Sequence, residues 1–93
     1  MRLTNKTAIV TGGASGFGEA IVKKFLNEGA RVVIADVNET AAEALSEELG
    51  KNTVAVNCDV GDRVSVKNLK TQATNAFGLI DIIVNNAGCL LYT

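Results

Sequence analysis

The stretch from Thr11 to Gly18, with the sequence TGGASGFG, constrains the fold of this 93-residue chain more than any other feature. Four of its eight residues are glycine. It continues the segment KTAIVT, whose central residues Ala8 to Val10 are apolar, and an amphipathic pattern begins at Phe17. A buried strand, a tight turn and a helix are therefore predicted in direct succession. In this arrangement the free N–H groups of the first helical turn lie at the end of the strand, where they can bind an anion.

The remaining sequence repeats this alternation of strand and helix. Predicted strands span 6–11, 31–36, 53–57 and 79–85, and predicted helices run over 17–27, from a cap at Asn38 to Gly50, and from a cap at Asp62 to Gly78. The core faces of the three helices are predicted to consist of Phe17, Ala20, Ile21, Phe25 and Leu26, then Ala41, Leu45 and Leu49, then Val66, Leu69, Ala73, Ala76 and Phe77. Right-handed crossovers then give an α/β fold with a parallel sheet in the order 3-2-1-4, two helices on one face and the third on the other.

Composition excludes several classes of protein. An apolar fraction of 47% with 20% charged residues is typical of a globular chain, and the net charge of −1 with scattered basic residues argues against a nucleic-acid partner. No stretch approaches the ~18 apolar residues of a membrane span, so no membrane partner and a cytoplasmic location are expected. The absence of His and the wide separation of Cys58 and Cys89 predict no metal site and no disulfide, with both cysteines as small buried hydrophobes.

Three glycines have separable roles in a turn of this kind. Gly12 can adopt a conformation forbidden to most residues, Gly16 can let a pyrophosphate approach the backbone, and Gly18 can let the helix pack closely on the strand. The alternative is a glycine-rich turn that binds no ligand. The strand before the turn and the helix after it favour a dinucleotide site.

The second strand ends at Asp36, which lies eighteen residues after Gly18 and close to the spacing at which an acidic residue binds an adenosine ribose. A carboxylate there accepts hydrogen bonds from free ribose hydroxyls and repels a 2′-phosphate. Neither Ser15 nor Val37 supplies a cation that would attract that phosphate. The predicted cofactor is therefore NAD rather than NADP. Alternatively, Asp36 only caps the following turn.

The Thr-Gly-x-x-x-Gly-x-Gly spacing resembles the glycine motif of the classical short-chain dehydrogenase/reductase family, and Asn85-Asn86-Ala87-Gly88 resembles a second motif of that family. The resemblance implies that residues 1–93 form the N-terminal part of one NAD-binding Rossmann-type domain, truncated before its catalytic part. It also implies adenine contacts at Asp59 and at the backbone of Val60, and a structural acid at Asp81. The predicted cofactor contacts are Gly12, Gly13, Ser15, Gly16, Phe17, Gly18, Asp36, Val37, Asp59, Val60, Asn86, Ala87 and Gly88.

By the same resemblance, the protein is an oxidoreductase that moves a hydride between nicotinamide and an alcohol or ketone carbon, and is a homo-oligomer. The family's catalytic serine and Tyr-x-x-x-Lys helix come later than the second motif, and Tyr92 is followed by one residue, so no catalytic residue is assigned. The chain alone is expected to be inactive.

Two alternatives stay open at this stage. One is a non-enzymatic dinucleotide-binding or interaction module of 93 residues. The other is the extended branch of the family, which includes sugar-nucleotide epimerases, although its glycine spacing tends toward Thr-Gly-x-x-Gly-x-x-Gly. The apolar segment 79–85 is also predicted to form an unpaired edge of the sheet. The isolated chain is therefore expected either to self-associate through this edge or to fold only partly.

Overall fold

The computed structural model describes residues 3–86. Four strands alternate with three helices: β1 (Thr7–Thr11), α1 (Gly16–Asn27), β2 (Arg31–Asp36), α2 (Glu39–Leu49), β3 (Thr53–Asn57), α3 (Arg63–Phe77) and β4 (Ile82–Asn85). Within these residues, no helix has both the length and the apolar character needed to cross a bilayer.

The four strands form one parallel sheet in the order β3-β2-β1-β4, which confirms the predicted α/β architecture. β1 lies between β2 and β4, and its residue Ile9 pairs with Val33 on one side and Ile83 on the other. All five residues of β1 are buried. Helices cover both faces of this strand, which is why its three central residues, Ala8, Ile9 and Val10, are all apolar rather than alternating with polar ones.

Successive side chains of the sheet enter two separate cores. Ile9 and Val33 pack with Leu69 and Ala73 of α3 on one face. On the other face, Val10, Val32 and Ile34 pack with Val22 of α1 and with Ala42 and Leu45 of α2. The predicted distribution of two helices on one face and one on the other is confirmed.

The predicted helix caps at Asn38 and Asp62 are also confirmed. The Asn38 side chain accepts a hydrogen bond from the Ala41 N–H at 3.0 Å, and Asp62 accepts one from the Val64 N–H at 2.9 Å. Cys58 is buried as expected, with 2% of its surface exposed. Cys89 lies outside the described residues.

Four helix positions assigned to the core were wrong. Phe17 is 72% exposed, and it lines an open cleft with Gly16 and the exposed Ala20, all three of them residues of α1. Ala76 is exposed because Leu69, Ala73 and Phe77 already form the contact stripe of α3. On α2, Ala42 rather than Ala41 is fully buried.

Two strand boundaries also differ from the prediction. β1 begins at Thr7 rather than Lys6, and β4 begins at Ile82 rather than Leu79. Leu79 directly follows the end of α3, and 86% of its surface is exposed. The last residue before β4 is Asp81, whose N–H donates to the Thr7 oxygen at 2.9 Å and whose carboxylate accepts the Thr7 N–H at 2.9 Å. The structural role expected for Asp81 is thus to join β4 to β1.

β4 is an edge strand of the described sheet, since it pairs with β1 on one side only. Its four residues, IIVN, include none of the lysines or prolines that commonly protect a sheet edge, and Ile83 is 58% exposed. The unpaired backbone groups and apolar side chains of this edge are suited to pairing with another strand.

We predict that the 93-residue polypeptide self-associates through β4. Replacement of Ile83 with lysine should weaken self-association by about tenfold, equal to about 1.4 kcal/mol, because paired edges would then bring two ammonium groups together. Sedimentation velocity over a concentration series measures this change. The matched control is Leu79→Lys, an equally apolar exposed position outside the strand, which should have a smaller effect. A monomeric wild-type chain that melts cooperatively would contradict the prediction.

Candidate functional site

The carboxyl ends of the four parallel strands lie at the same end of the sheet. The segments that follow these strand ends contain the predicted site residues. The chain leaves β1 toward β2 on one side, while β4 pairs with β1 on the other side. Doubly wound sheets bind ligands at such a change of direction, outside the strand ends. The turn between β1 and α1 lies at this position.

Several hydrogen bonds hold this turn in a fixed shape. Gly12 has φ of 67°, a left-handed conformation that favours glycine. The N–H groups of Gly12 and Gly13 both donate to the Ala35 oxygen of β2, at 2.7 and 3.3 Å. The Ser15 hydroxyl donates back to the Gly12 oxygen at 2.7 Å. The turn is therefore fixed to the neighbouring strand as well as to itself.

The glycines of the turn differ in what a side chain would meet. A Cβ on Gly18 would collide with the Gly12 carbonyl oxygen and would lie 2.8 Å from the Gly13 Cα, so α1 approaches the turn too closely for any other residue. A Cβ on Gly16 would meet nothing within 4 Å. Packing of the described residues does not require glycine at Gly16, whereas a ligand lying over the turn would.

The N-terminus of α1 has no side-chain cap. Ser15 occupies the N-cap position, but its side chain makes no capping hydrogen bond and its hydroxyl is directed to the Gly12 oxygen instead. In contrast, α2 and α3 are both capped by side chains. The first-turn N–H groups of α1, at Gly16, Phe17 and Gly18, have no intrahelical acceptor and so suit an anionic ligand.

Asp36 lies opposite the turn, and both of its carboxylate oxygens accept backbone hydrogen bonds. Oδ2 accepts from the Ala14 N–H and Oδ1 from the Asn38 N–H, each at 3.0 Å. A small cavity of about 130 Å³ lies beside it, lined by Ala14, Ser15, Asp36, Asn38 and Ala41. A carboxylate has roughly four acceptor sites, so about two are not used by these backbone groups.

Asp36 therefore caps the following turn and also lines a cavity, so the two sequence interpretations are not exclusive. Its partners at Ala14 and Asn38 were not anticipated, because backbone donors leave no signal in residue type.

Three further predicted cofactor contacts, of which Asp59 and Val60 are those expected at adenine, follow the ends of β2 and β3. Val37 follows Asp36 and is 65% exposed, and its carbonyl oxygen accepts a hydrogen bond from the Asn57 side chain at 3.1 Å. Asp59 is exposed, and its Oδ1 accepts from the Gly61 N–H at 2.9 Å. Val60 lines a different cavity, on the α3 face with Ile83. The structure thus does not bring Val60 into the Asp36 cavity.

Asn86 approaches the glycine turn from the end of β4. It is only 6% exposed, and its Nδ2 lies 3.2 Å from the Gly12 oxygen and 3.4 Å from the Ser15 hydroxyl. Nearby, the Thr11 hydroxyl donates to the Val84 oxygen at 3.2 Å and lies 3.1 Å from the Asn85 Oδ1. These contacts join β4 to the turn.

The predicted contacts at Ala87 and Gly88, and Tyr92, lie outside the described residues. Within residues 3–86, no group of three or more His, Cys, Asp or Glu side chains is placed to hold a metal ion.

Comparison with known proteins gives a consistent family match. The model of the short chain dehydrogenase family matches residues 6–92. The chain is 46% identical over 91 residues to 3beta-hydroxysteroid dehydrogenase 2 of Eggerthella lenta, covering 95% of this chain and 35% of that protein. It is 45% identical over 87 residues to sorbitol dehydrogenase of Cereibacter sphaeroides, covering 94% and 34%.

A solved structure resembles this one closely. It is the 3-ketoacyl-(acyl-carrier-protein) reductase of Brucella melitensis complexed with NADH, with a TM-score of 0.85 and 38% identity, covering 87% of this chain and 34% of that one. The chain thus spans about a third of the length of the curated relatives it matches, 35% and 34% in the two cases above.

Gly16, which is exposed, and Gly18, which is buried, provide a test of this geometry. We expect Gly18→Ala to lower the free energy of unfolding by about 1–3 kcal/mol, because the new Cβ forces α1 away from the Gly12 carbonyl. Gly16→Ala, with open space around the Cβ, should change it by no more than about 1 kcal/mol. Urea denaturation followed by circular dichroism measures both. Equal destabilisation by the two substitutions would contradict the assigned close approach.

Proposed function

This chain belongs to the short chain dehydrogenase family, and from that premise we propose that it forms the NAD-binding part of an oxidoreductase. The reaction proposed is hydride transfer between nicotinamide and an alcohol or ketone carbon of a small molecule. The observation that carries the proposal is the uncapped first turn of α1 facing open space at Gly16, with the Asp36 carboxylate beside it.

The proposed pyrophosphate position is over the glycine turn. There the free N–H groups of Gly16, Phe17 and Gly18 and the positive end of the α1 dipole favour negative charge. Gly12 and Gly13 supply the fixed turn below, and Gly18 keeps α1 close to it. A Cβ on Gly16 would meet no atom within 4 Å, so a ligand group could approach the backbone closely at this position.

The proposed adenosine position is the cavity beside Asp36. Its carboxylate would accept hydrogen bonds from the ribose 2′- and 3′-hydroxyls, and a 2′-phosphate would meet like-charge repulsion of several kcal/mol in order of magnitude. Val37 offers exposed apolar surface next to this cavity. The adenine contacts proposed at Asp59 and Val60 rest on the family resemblance, and so do those of Ala87 and Gly88 to the cofactor.

When bound, NAD supplies the nicotinamide carbon that accepts the hydride. Oxidation of an alcohol also releases the hydroxyl proton, and we assign no residue between 3 and 86 to accept it. The contribution that we propose for residues 3–86 is therefore to bind and orient the dinucleotide. The 93-residue polypeptide should bind NAD without oxidising an alcohol. A cytoplasmic location and a homo-oligomeric state remain predictions from the sequence.

Cofactor preference tests this proposal directly. Isothermal titration calorimetry should show NAD binding at least about tenfold tighter than NADP, equal to about 1.4 kcal/mol, because of repulsion at Asp36. In Asp36→Ala, the ratio of the two dissociation constants should move toward one. The ratio is the informative quantity, since any general weakening of the site affects both cofactors. Equal or tighter binding of NADP by the wild-type chain would contradict the assignment.

The open space at Gly16 gives a second test of the cofactor's position. Gly16→Ala should weaken NAD binding by about tenfold or more, since its Cβ occupies the proposed pyrophosphate position, while leaving the fold intact. The same titration measures the loss. Asn27→Ala, at the exposed last residue of α1 and at the helix end away from the turn, serves as the control. Unchanged NAD affinity in Gly16→Ala would place the cofactor elsewhere.

A further inference from the structure

We propose that Asp36 has a second role besides binding the ribose hydroxyls: it positions the glycine-rich loop 12–15 for phosphate binding. This inference rests on the proposed function. It follows from the two hydrogen bonds through which the carboxylate joins separate segments, one to the Ala14 N–H and one to the Asn38 N–H, each at 3.0 Å.

The remaining contacts of the loop explain why Ala14 matters. Gly12 and Gly13 are held by the Ala35 oxygen, and Ser15 is held to the Gly12 oxygen by both its N–H, at 3.1 Å, and its hydroxyl, at 2.7 Å. Ala14 lies between these anchored residues, and its N–H donates to Asp36. The Ala14–Ser15 peptide leads directly into the first turn of α1. By holding Ala14, the carboxylate therefore also helps to position the N–H groups of that turn, which are proposed to bind phosphate.

The two tasks of Asp36 are compatible because its acceptor sites are not exhausted. Two of the roughly four acceptor positions on a carboxylate are used by backbone N–H groups, which leaves two for ribose hydroxyls. One side chain can therefore hold the loop before a ligand arrives and bind the ribose afterwards.

A ligand without a ribose separates the two tasks by the sign of the effect. If Asp36 acted on ribose alone, its removal would strengthen or leave unchanged the binding of a free anion, because a nearby negative charge is lost. If it positions the loop, its removal weakens that binding despite the gain in electrostatics.

The first measurement needs no ligand. Amide hydrogen exchange of Ala14, followed by NMR in the 93-residue chain, should accelerate at least about tenfold in Asp36→Ala, because a hydrogen bond to a charged acceptor is lost. Asp36→Asn keeps one side-chain carbonyl oxygen and should deprotect only one of the two amides, Ala14 or Asn38. The matched control is Glu39→Ala, which removes an exposed carboxylate from the first turn of α2. Unchanged Ala14 exchange in both Asp36 variants would overturn the proposal.

The second measurement uses inorganic pyrophosphate, with binding followed by the amide shifts of Gly16 and Phe17. Asp36→Ala should weaken binding by about threefold to tenfold, whereas Glu39→Ala should leave it unchanged or slightly tighter. Equal or tighter binding by Asp36→Ala would also overturn the proposal. If the wild-type chain binds no pyrophosphate and no NAD, the proposed function fails. The exchange of Ala14 then still decides whether Asp36 holds the loop.

Discussion

The contact between Gly18 of α1 and the carbonyl group of Gly12 determines where everything else in the site can lie. No Cβ fits between them, so α1 begins directly against the turn that ends β1. This close approach sets the first-turn N–H groups of α1 at the carboxyl end of β1, an inner strand of the sheet. It also lets Val22 of α1 reach the apolar core formed with Val10 and Ile34. Backbone geometry, rather than side-chain packing, thus fixes the site to the fold.

A second level of organisation comes from side chains that hydrogen-bond to backbone across neighbouring strands. Asn86 joins the end of β4 to Gly12, and Asn57 joins the end of β3 to Val37. Asp36 joins the end of β2 to the glycine turn. Each of these polar side chains hydrogen-bonds a backbone group of a neighbouring segment, so the segments that follow the strands are joined to one another.

Local signals made most of the fold predictable. The succession of strands and helices and the caps at Asn38 and Asp62 follow from hydrophobic periodicity and from residue types that act on near neighbours. Given that succession, right-handed crossovers and the doubly wound pattern predict the strand order and the two-sided distribution of helices. The exposure of Phe17 and the placement of Val60 in the α3-side cavity depend on which elements lie nearby in space, which periodicity does not report. The glycine turn and Asp36 were identifiable as a candidate site from their spacing. The hydrogen bonds of Asp36 to Ala14 and Asn38 were not, because any residue type supplies a backbone N–H.

The pair of hydrogen bonds between Thr7 and Asp81 has a consequence for the opposite end of the sheet. In a parallel pair, a shift by one residue turns every side chain of the strand to the other face. By holding Asp81 against Thr7, these bonds set the alignment that brings Asn85 beside Thr11, about 13 Å further along the strand. The position of Asn85 at one wall of the candidate site thus depends on the Asp81 carboxylate, which lies just before the other end of β4. A substitution at Asp81 would shift the alignment of β4 at the position where the dinucleotide is proposed to bind.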